Sequence, residues 1–440
     1  MLNIHRKFCR ETFYDGRLVD FQPVYQENFN FAYDVMDVIG REEPDRRAML
    51  WCNEEGEEHT FTFGDMVRYS NQAANFFAAH GVGRGDRVML ILKRHYQFWF
   101  ALLGLHKLGA VGIPATNQLT KKDIAYRCNA AGVSLVICTT DGDVADHVEA
   151  ALPESPTVHT LVSVHGPRKG WIDFDAEFPS CSDVLERLPT AAKDFTYAIA
   201  HIITAKYWQN VVPDGLHLTI SDTGWMKSMW GKLYGQWFME AGIFVCDFDR
   251  FHASKVLELF AKYHITTFCA PPTMYRFFIK ENLADYDLSS LQSACIAGEP
   301  LNPEVFYQFY KATGLKLREG FGQSETTLLL FNMVGDEPKP GSTGKPSPAY
   351  HMDLVDENGN TVPPGTVGEI VIHTEGGKTP GLFSGYYLNE ALTKEAWHDG
   401  LYHTGDTAWM DEDGYYWYVG RTDDIIKSSG YRIGPFEIES

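Results

Sequence analysis

Two rhythms of apolar positions alternate along the first third of the chain. From Phe63 to His80 the string FGDMVRYSNQAANFFAAH carries apolar side chains at helical spacing and stops at Gly81, which predicts an amphipathic helix with a glycine terminator. GRGDRVMLIL then predicts a turn feeding a buried strand, Tyr96 to Leu108 a helix, and Gly109 to Pro114 the next strand. Together they make a β-α-β unit. Thr120 can cap the helix KKDIAYRCNAAG, and VSLVICTT follows as a strand. This first region reads as a parallel α/β layer.

A second region repeats the plan. LHLTI precedes Ser221 to Trp225, ITTFCA precedes Pro271 to Arg276, SACIA precedes Gly298-Glu299-Pro300, and LKLRE leads into Gly320-Phe321-Gly322-Gln323-Ser324-Glu325. Asn302-Pro303-Glu304 combines a cap, a first-turn proline and an acid, a strong helix start. Each short apolar strand is expected to end in a polar or glycine-rich loop. Ligands of open α/β sheets bind beyond the carboxyl ends of strands, so these loops are expected to converge on one pocket. After about Gly341 short alternating strands take over, as in GTVGEIVIHT and DEDGYYWYVGR. They predict a small, mostly antiparallel sheet or distorted barrel. The fold class is therefore α/β, divided as 1–193, 194–340 and 341–422. Residues 423–440 open a further domain, because Gly434-Pro435 start an apparent helix that reaches the last residue, Ser440.

Composition narrows the partners. The 440 residues are 44% hydrophobic and 14% aromatic, enough for several packed cores rather than a disordered chain. A formal net charge of -20 argues against nucleic acid as the main partner. It leaves a nucleotide pocket open, since that depends on local donors and metal ions. The eight cysteines are scattered with no C-x-x-C pair, which argues against a zinc site and against a dense disulfide framework. The N-terminus has no signal-peptide core, and the longest apolar run, FWFALLGLHKLGAVGIPA, is broken by His106 and Lys107. A reducing compartment, the cytoplasm, and no membrane span are expected.

The hexapeptide Gly320 to Glu325 carries the most chemistry. Glycines admit a flat or anionic ligand close to the backbone, Ser324 offers a hydroxyl to phosphate, and Glu325 offers a hard oxygen to Mg²⁺. Glycine-rich strand ends are also common without any function. Asp406, in Tyr402-His403-Thr404-Gly405-Asp406, can accept both hydroxyls of a ribose, and Arg421 can bond ribose or phosphate oxygens. Alone, the first is an ordinary turn former and the second a surface charge. No G-x-G-x-x-G follows an early strand, which disfavours a dinucleotide oxidoreductase.

Taken in order, APPTMYR, GEP, EGFGQSETT, HTGD and GRTDDIIKSSGYRIGPFEIE resemble the motifs of the AMP-forming acyl-CoA synthetases of the adenylate-forming superfamily, nearest the medium-chain branch. The resemblance runs over most of the chain. It implies the large N-terminal domain of such an enzyme, with two parallel α/β subdomains and a small distorted β-barrel. It implies ATP, Mg²⁺ and coenzyme A as cofactors, and a small carboxylic acid as substrate. Gly298, Glu299 and Pro300, with Glu319, Gly320, Phe321, Gly322 and Gln323, would frame adenine and AMP. Ser324 would touch phosphate, Glu325 the magnesium, and Asp406 and Arg421 the ribose. Asp423 matches the hinge residue. Ser428, Ser429 and Gly430, with Gln118, would contact coenzyme A. Thr223 and Trp225 are candidate walls of the acyl pocket. Where acetate-specific relatives close the pocket floor with tryptophan this chain has Gly322, so a medium-chain, branched or aromatic acid is expected.

Two parts of the family pattern are missing from these residues. LPTAAK runs straight into DFTYAIA, where a Ser/Thr/Gly-rich loop ending in Pro-Lys should cradle the outer phosphates. The C-terminal domain with its adenylation lysine is also missing. Either a longer form of the protein carries them or the chain is a non-catalytic nucleotide- or acyl-binding module. An adenylate-forming ligase with another acceptor, such as a carrier protein, also fits the motifs.

Overall fold

A computed structural model describes residues 1–192, 195–299, 301–374 and 379–423, and the backbone of 426–428 and 431–433. The chain forms two compact units, each assembled from discontinuous stretches. The first comprises Met1–Lys7, Tyr25–Phe195 and Pro213–Phe251; the second comprises Phe8–Val24, Thr196–Val212 and His252–Ser440.

The first unit contains a five-stranded, wholly parallel sheet. From edge to edge its strands are Val111–Pro114, Arg87–Ile91, Leu135–Thr139, Thr160–Val164 and Ile172–Asp173. The helices predicted around it form at Phe63–Ala79, Gln97–Leu108 and Lys121–Ala131. Thr62 with Asp65 and Thr120 with Asp123 close capping boxes at two of them, each satisfying amides that have no partner inside the helix. Gln97–Leu108 is buried on every face. Gly104 makes this possible, because a Cβ there would meet the backbone of Ala73 and Ala74 in the neighbouring helix. Lys107 is also inside, held by Asp37 at 2.6 Å and by the Asn71 side-chain carbonyl at 2.6 Å. The same unit holds Leu216–Thr219, Gly242–Asp247 and Arg47–Asn53 as parallel neighbours, with Glu58–Thr62 antiparallel to the last.

In the second unit Thr267–Ala270, Ser293–Ile296 and Arg318–Gly322 pair in parallel, and Leu328–Phe331 returns antiparallel to the third. The sequence placed a strand at LKLRE and a loop from Gly320. The strand instead runs through Gly322, because Gly320 and Gly322 hydrogen-bond in register with Phe331 and Leu328. At 320 a side chain would strike the indole of Trp208 at 2.7 Å, so only glycine lets the strand lie under that buried ring. The expected antiparallel sheet follows, from Met352–Val355, Gly368–His373, Leu401–Met410 and Tyr416–Arg421. Its core includes Leu354, Ile370, Ile372, Tyr402 and Tyr416, and each fully buried aliphatic side chain of this kind stabilises by about 1.5–3 kcal/mol. The unit also contains the hairpin Cys9–Tyr14 with Arg17–Pro23, which the hydrophobic pattern did not single out. The helix expected at Gly434-Pro435 lies outside the described residues. Among those described, no helix is long and apolar enough to cross a membrane.

Candidate functional site

Within the second unit the strand Arg318–Gly322, the turn after it and the antiparallel pair Leu401–Met410 and Tyr416–Arg421 bring the predicted residues together. The Gln323 side chain is fixed at both ends. Its amide NH₂ donates to the Thr404 carbonyl at 2.7 Å and to a carboxylate oxygen of Asp406, and its side-chain carbonyl accepts from Tyr402 at 2.9 Å. Asp406 is buried and accepts from the Tyr418 hydroxyl at 2.8 Å. Burial pushes its carboxyl above the usual range, against the Tyr418 and Gln323 hydrogen bonds. Arg421 stands directly across the ladder from Asp406 and donates to Asp423 at 3.1 Å. Phe321 packs its ring against Tyr418, with centroids 5.4 Å apart.

Glu325 sits at the other end of the turn. One of its oxygens accepts from the Tyr386 hydroxyl at 3.0 Å, and its backbone carbonyl accepts from Phe383. A carboxylate is a hard-oxygen donor of the kind that Mg²⁺ takes. Burial and the adjacent Glu325 charge push the Tyr386 phenol up to about 12. Ser324 is exposed beside it. Glu319, by contrast, is buried, and desolvation raises its carboxyl well above the ordinary value despite a hydrogen bond from the Leu301 backbone.

Gly298 adopts φ +105°, a conformation that glycine adopts freely. The neighbouring Glu299 carboxylate accepts from Thr273 at 2.8 Å and from Arg276 at 3.2 Å, which joins GEP to APPTMYR. Pro300, Ser429 and Gly430 lie outside the described residues, and Ser428 is described only as backbone of the strand Ile426–Ser428. In the first unit, Thr223 is buried and its hydroxyl donates to the Lys93 carbonyl, whereas Trp225 is 64% exposed. Gly224 packs its backbone on Ala115 and Thr116, which sets the loop of Thr223 and Trp225 beside the turn that carries the exposed Gln118. At Gly322 a Cβ would collide with the Thr327 carbonyl oxygen. The glycine is therefore required by the backbone, whatever else it does for a pocket.

Sequence reasoning missed Tyr386 and Tyr418 as supports. Tyr418 carried a signal, since it lies three residues before Arg421 on an alternating strand. Tyr386, one of two adjacent tyrosines, carried none.

Comparison with known proteins places the chain in a family. The family model described as AMP-binding enzyme matches residues 37–199 and 191–387. Acyl-coenzyme A synthetase ACSM3, mitochondrial, of Pongo abelii is 36% identical over 455 residues, covering 97% of this chain and 77% of that protein. Acyl-coenzyme A synthetase ACSM4, mitochondrial, of Homo sapiens is 36% identical, covering 96% and 78%. Among solved structures, a Brucella canis acyl-CoA synthetase superposes with TM-score 0.81 at 26% identity, covering 93% of this chain and 78% of that one. The anthranilate CoA ligase AuaEII in complex with anthranoyl-AMP superposes with TM-score 0.85 at 23% identity, covering 94% and 82%, a likeness of fold. The alignment to ACSM3 spans more positions, 455, than this chain has residues, 440, so that relative carries residues with no counterpart here. The family match also restarts between 191 and 199, where the phosphate loop was expected.

Proposed function

Because this chain belongs to the AMP-binding enzyme family as an AMP-forming acyl-CoA synthetase, we propose that it holds the adenylate against Gln323, Asp406 and Arg421 in its second unit. ATP and coenzyme A are the substrates of this class. The substrate carboxylate attacks the α-phosphorus of ATP and pyrophosphate leaves. The coenzyme A thiol then attacks the acyl carbon and AMP leaves. Neither step needs a nucleophile from the protein.

One observation carries the assignment of roles. Asp406 is buried and oriented by two neutral donors, which suits a carboxylate that accepts both ribose hydroxyls. Arg421 across the ladder adds a cationic donor to ribose or phosphate. Gly298 to Pro300 and Glu319 to Gln323 frame the base. Glu325 would hold Mg²⁺, which neutralises charge on the phosphates, with Ser324 bonding a phosphate oxygen. Asp423, paired to Arg421, is the hinge; Ser428 to Gly430 in the second unit are coenzyme A contacts, and Gln118 is a separate candidate in the first.

The acid is medium-chain, branched or aromatic rather than acetate, with Thr223 and Trp225 as walls. The Thr223 hydroxyl is already used by Lys93, so the cleaner probe is Trp225→Ala; Gly322→Trp would have to displace the Thr327 backbone first. Pyrophosphate exchange against a panel of acids, with coenzyme A and then a carrier protein as acceptor, tests this reading. Exchange with acetate alone, or an unchanged chain-length profile in Trp225→Ala, would overturn the acid assignment. The restart of the family match at 191–199 favours one second reading, a module that binds adenylate without forming it. Tight AMP binding with no exchange for any acid would establish that reading instead.

A further inference from the structure

The first unit holds a cluster that the adenylate chemistry does not use. His95 follows the strand Arg87–Ile91, Asp141 follows Leu135–Thr139, and His165 follows Thr160–Val164. These are adjacent parallel strands, so three loops deliver one side chain each to the carboxyl end of the sheet. One ligand atom from each of the three lies within 4.8 Å of the others. His95 Nε2 is 3.5 Å from Asp141 Oδ2, and His165 Nδ1 is 2.7 Å from Asp141 Oδ1. Ligands about 2.0–2.1 Å from a tetrahedral ion stand roughly 3.3 Å apart, so small side-chain rotations suffice.

The geometry points to a binding site for a divalent transition-metal ion of the Zn²⁺ class, with His95, Asp141 and His165 as ligands and Asp247 as the group that orients His95. Asp247 Oδ2 lies 2.9 Å from His95 Nδ1. That contact places the ring proton on Nδ1 and leaves the Nε2 lone pair facing Asp141 and the Thr139 hydroxyl, 2.8 Å away. A carboxylate behind a buried histidine is the arrangement that fixes the tautomer of a metal ligand. Two nitrogens and one carboxylate with room for water suit zinc-class ions better than calcium or magnesium.

Charge supports the same reading. Asp141, Asp175, Asp222, Asp247 and Asp249 surround the site through direct contacts with Lys93, Arg94, His95 or the His165 backbone. Among the described residues Lys93 and Arg94 are the cations ion-paired to these carboxylates, and the buried Lys232 interacts with Asp222 and Asp247 at longer range. Lys93 reaches Asp141 at 3.0 Å, which opposes a second cation, but Asp249 lies 2.7 Å from the same ammonium and can retain it alone. A second trio, His351, Asp353 and His373, belongs to the other unit and is more exposed, and it serves as the internal control.

The test titrates the chelator-stripped full chain with Zn²⁺ alone against a chromophoric chelator, and with Co²⁺ read by its visible absorption. One tight equivalent is expected, with the d–d bands of a low-coordinate nitrogen-containing site. His165→Gln, at a half-exposed position whose replacement leaves the fold in place, should weaken binding at least 100-fold. Asp141→Asn should do the same, and Asp247→Asn should weaken it 10- to 100-fold. His373→Gln should leave the equivalent intact. No tight equivalent in the wild type, undiminished binding in His165→Gln with an unchanged circular dichroism spectrum, or loss in His373→Gln would each overturn the site.

Discussion

Asp406 in the second unit and Asp141 with Asp247 in the first are carboxylates wholly or partly withdrawn from bulk water and held by several donors, yet their surroundings are of opposite kinds. Asp406 receives a phenol and a primary amide, both neutral, and burial leaves its carboxyl raised above the ordinary range. Asp141 and Asp247 are also desolvated, but His165, Lys93, His95 and Arg94 outweigh burial and hold both carboxyls below that range. A carboxylate positioned by neutral groups keeps an unmet demand for donors, which a diol or cation can fill. One positioned by charges is compensated by those charges, so a metal ion at Asp141 has to take the place of the Lys93 ammonium, which Asp249 also holds. The two units thus hold carboxylates in opposite ways, one by neutral hydrogen bonds and the other by charge.

The largest effect expected from breaking this contrast is on stability in the charged unit. Lys107 has no exposed surface, and burial lowers its ammonium while raising the partner Asp37. Removing one member leaves the other buried and unpaired, so Asp37→Ala should cost about 3–5 kcal/mol in chemical denaturation. Asp37→Ala combined with Lys107→Met should recover most of that loss. A single mutant that unfolds at the wild-type midpoint would show that the charge in this unit is not compensated by pairing.

Next in size is the effect at the neutral cluster. Asp406→Ala should lower kcat/KM for ATP in pyrophosphate exchange on the order of 100-fold, about 2.7 kcal/mol for two lost charge-assisted bonds. 2′-Deoxy-ATP with the wild type should lose part of the same amount and lose little further with the mutant. Equal penalties for the deoxy substrate in both proteins would place the ribose elsewhere.

Much of this was visible in sequence, for reasons that differ by residue. The helices at Phe63–Ala79 and Lys121–Ala131 and the strand Leu135–Thr139 were legible because local periodicity, caps and terminators agree with the packing. Glu319 to Glu325, Asp406 and Arg421 were legible because each falls within a short string that resembles a family motif. The extent of the strand through Gly322 was not, since it depends on partners at Leu328 and Phe331 and on the distant Trp208 ring. Lys107 was legible as a polar break in an apolar run, but its pairing was not, because Asp37 and Asn71 lie far away in the chain. The cluster of His95, Asp141, His165 and Asp247 has no sequence signature at all: each member comes from a different strand end.

A smaller effect compares histidines buried in both units. Burial pushes His106 down to about 4 and His201 and His217 to about 3. The unfolded chain protonates each near 6.5, while the fold refuses the proton until far lower pH. Stability is therefore full above about 6.5 and falls as pH drops toward 4, by roughly 1.4 kcal/mol per pH unit per group. His201→Asn, which retains a polar atom for the Thr204 hydroxyl at 2.9 Å, should flatten that slope by about one group in urea titrations at successive pH values. An unchanged slope would mean that His201 takes up its proton in the folded state.

The smallest expected changes separate positioning from stabilisation within the neutral cluster. Tyr418→Phe removes one neutral-to-charged bond from Asp406 while Gln323 still holds the other oxygen. About 1 kcal/mol, or roughly a fivefold rise in KM for ATP with little change in kcat, should follow, because the ribose is bound before and during reaction. Tyr386→Phe frees an oxygen of Glu325. If Glu325 holds Mg²⁺ on the phosphates, the lost orientation should appear mainly in kcat and in the Mg²⁺ concentration needed for half-maximal exchange, by a similar factor. The two tyrosines then have distinct signatures, one in KM and one in kcat. Identical KM effects from both would mean that Glu325 and Asp406 contact the same part of the nucleotide.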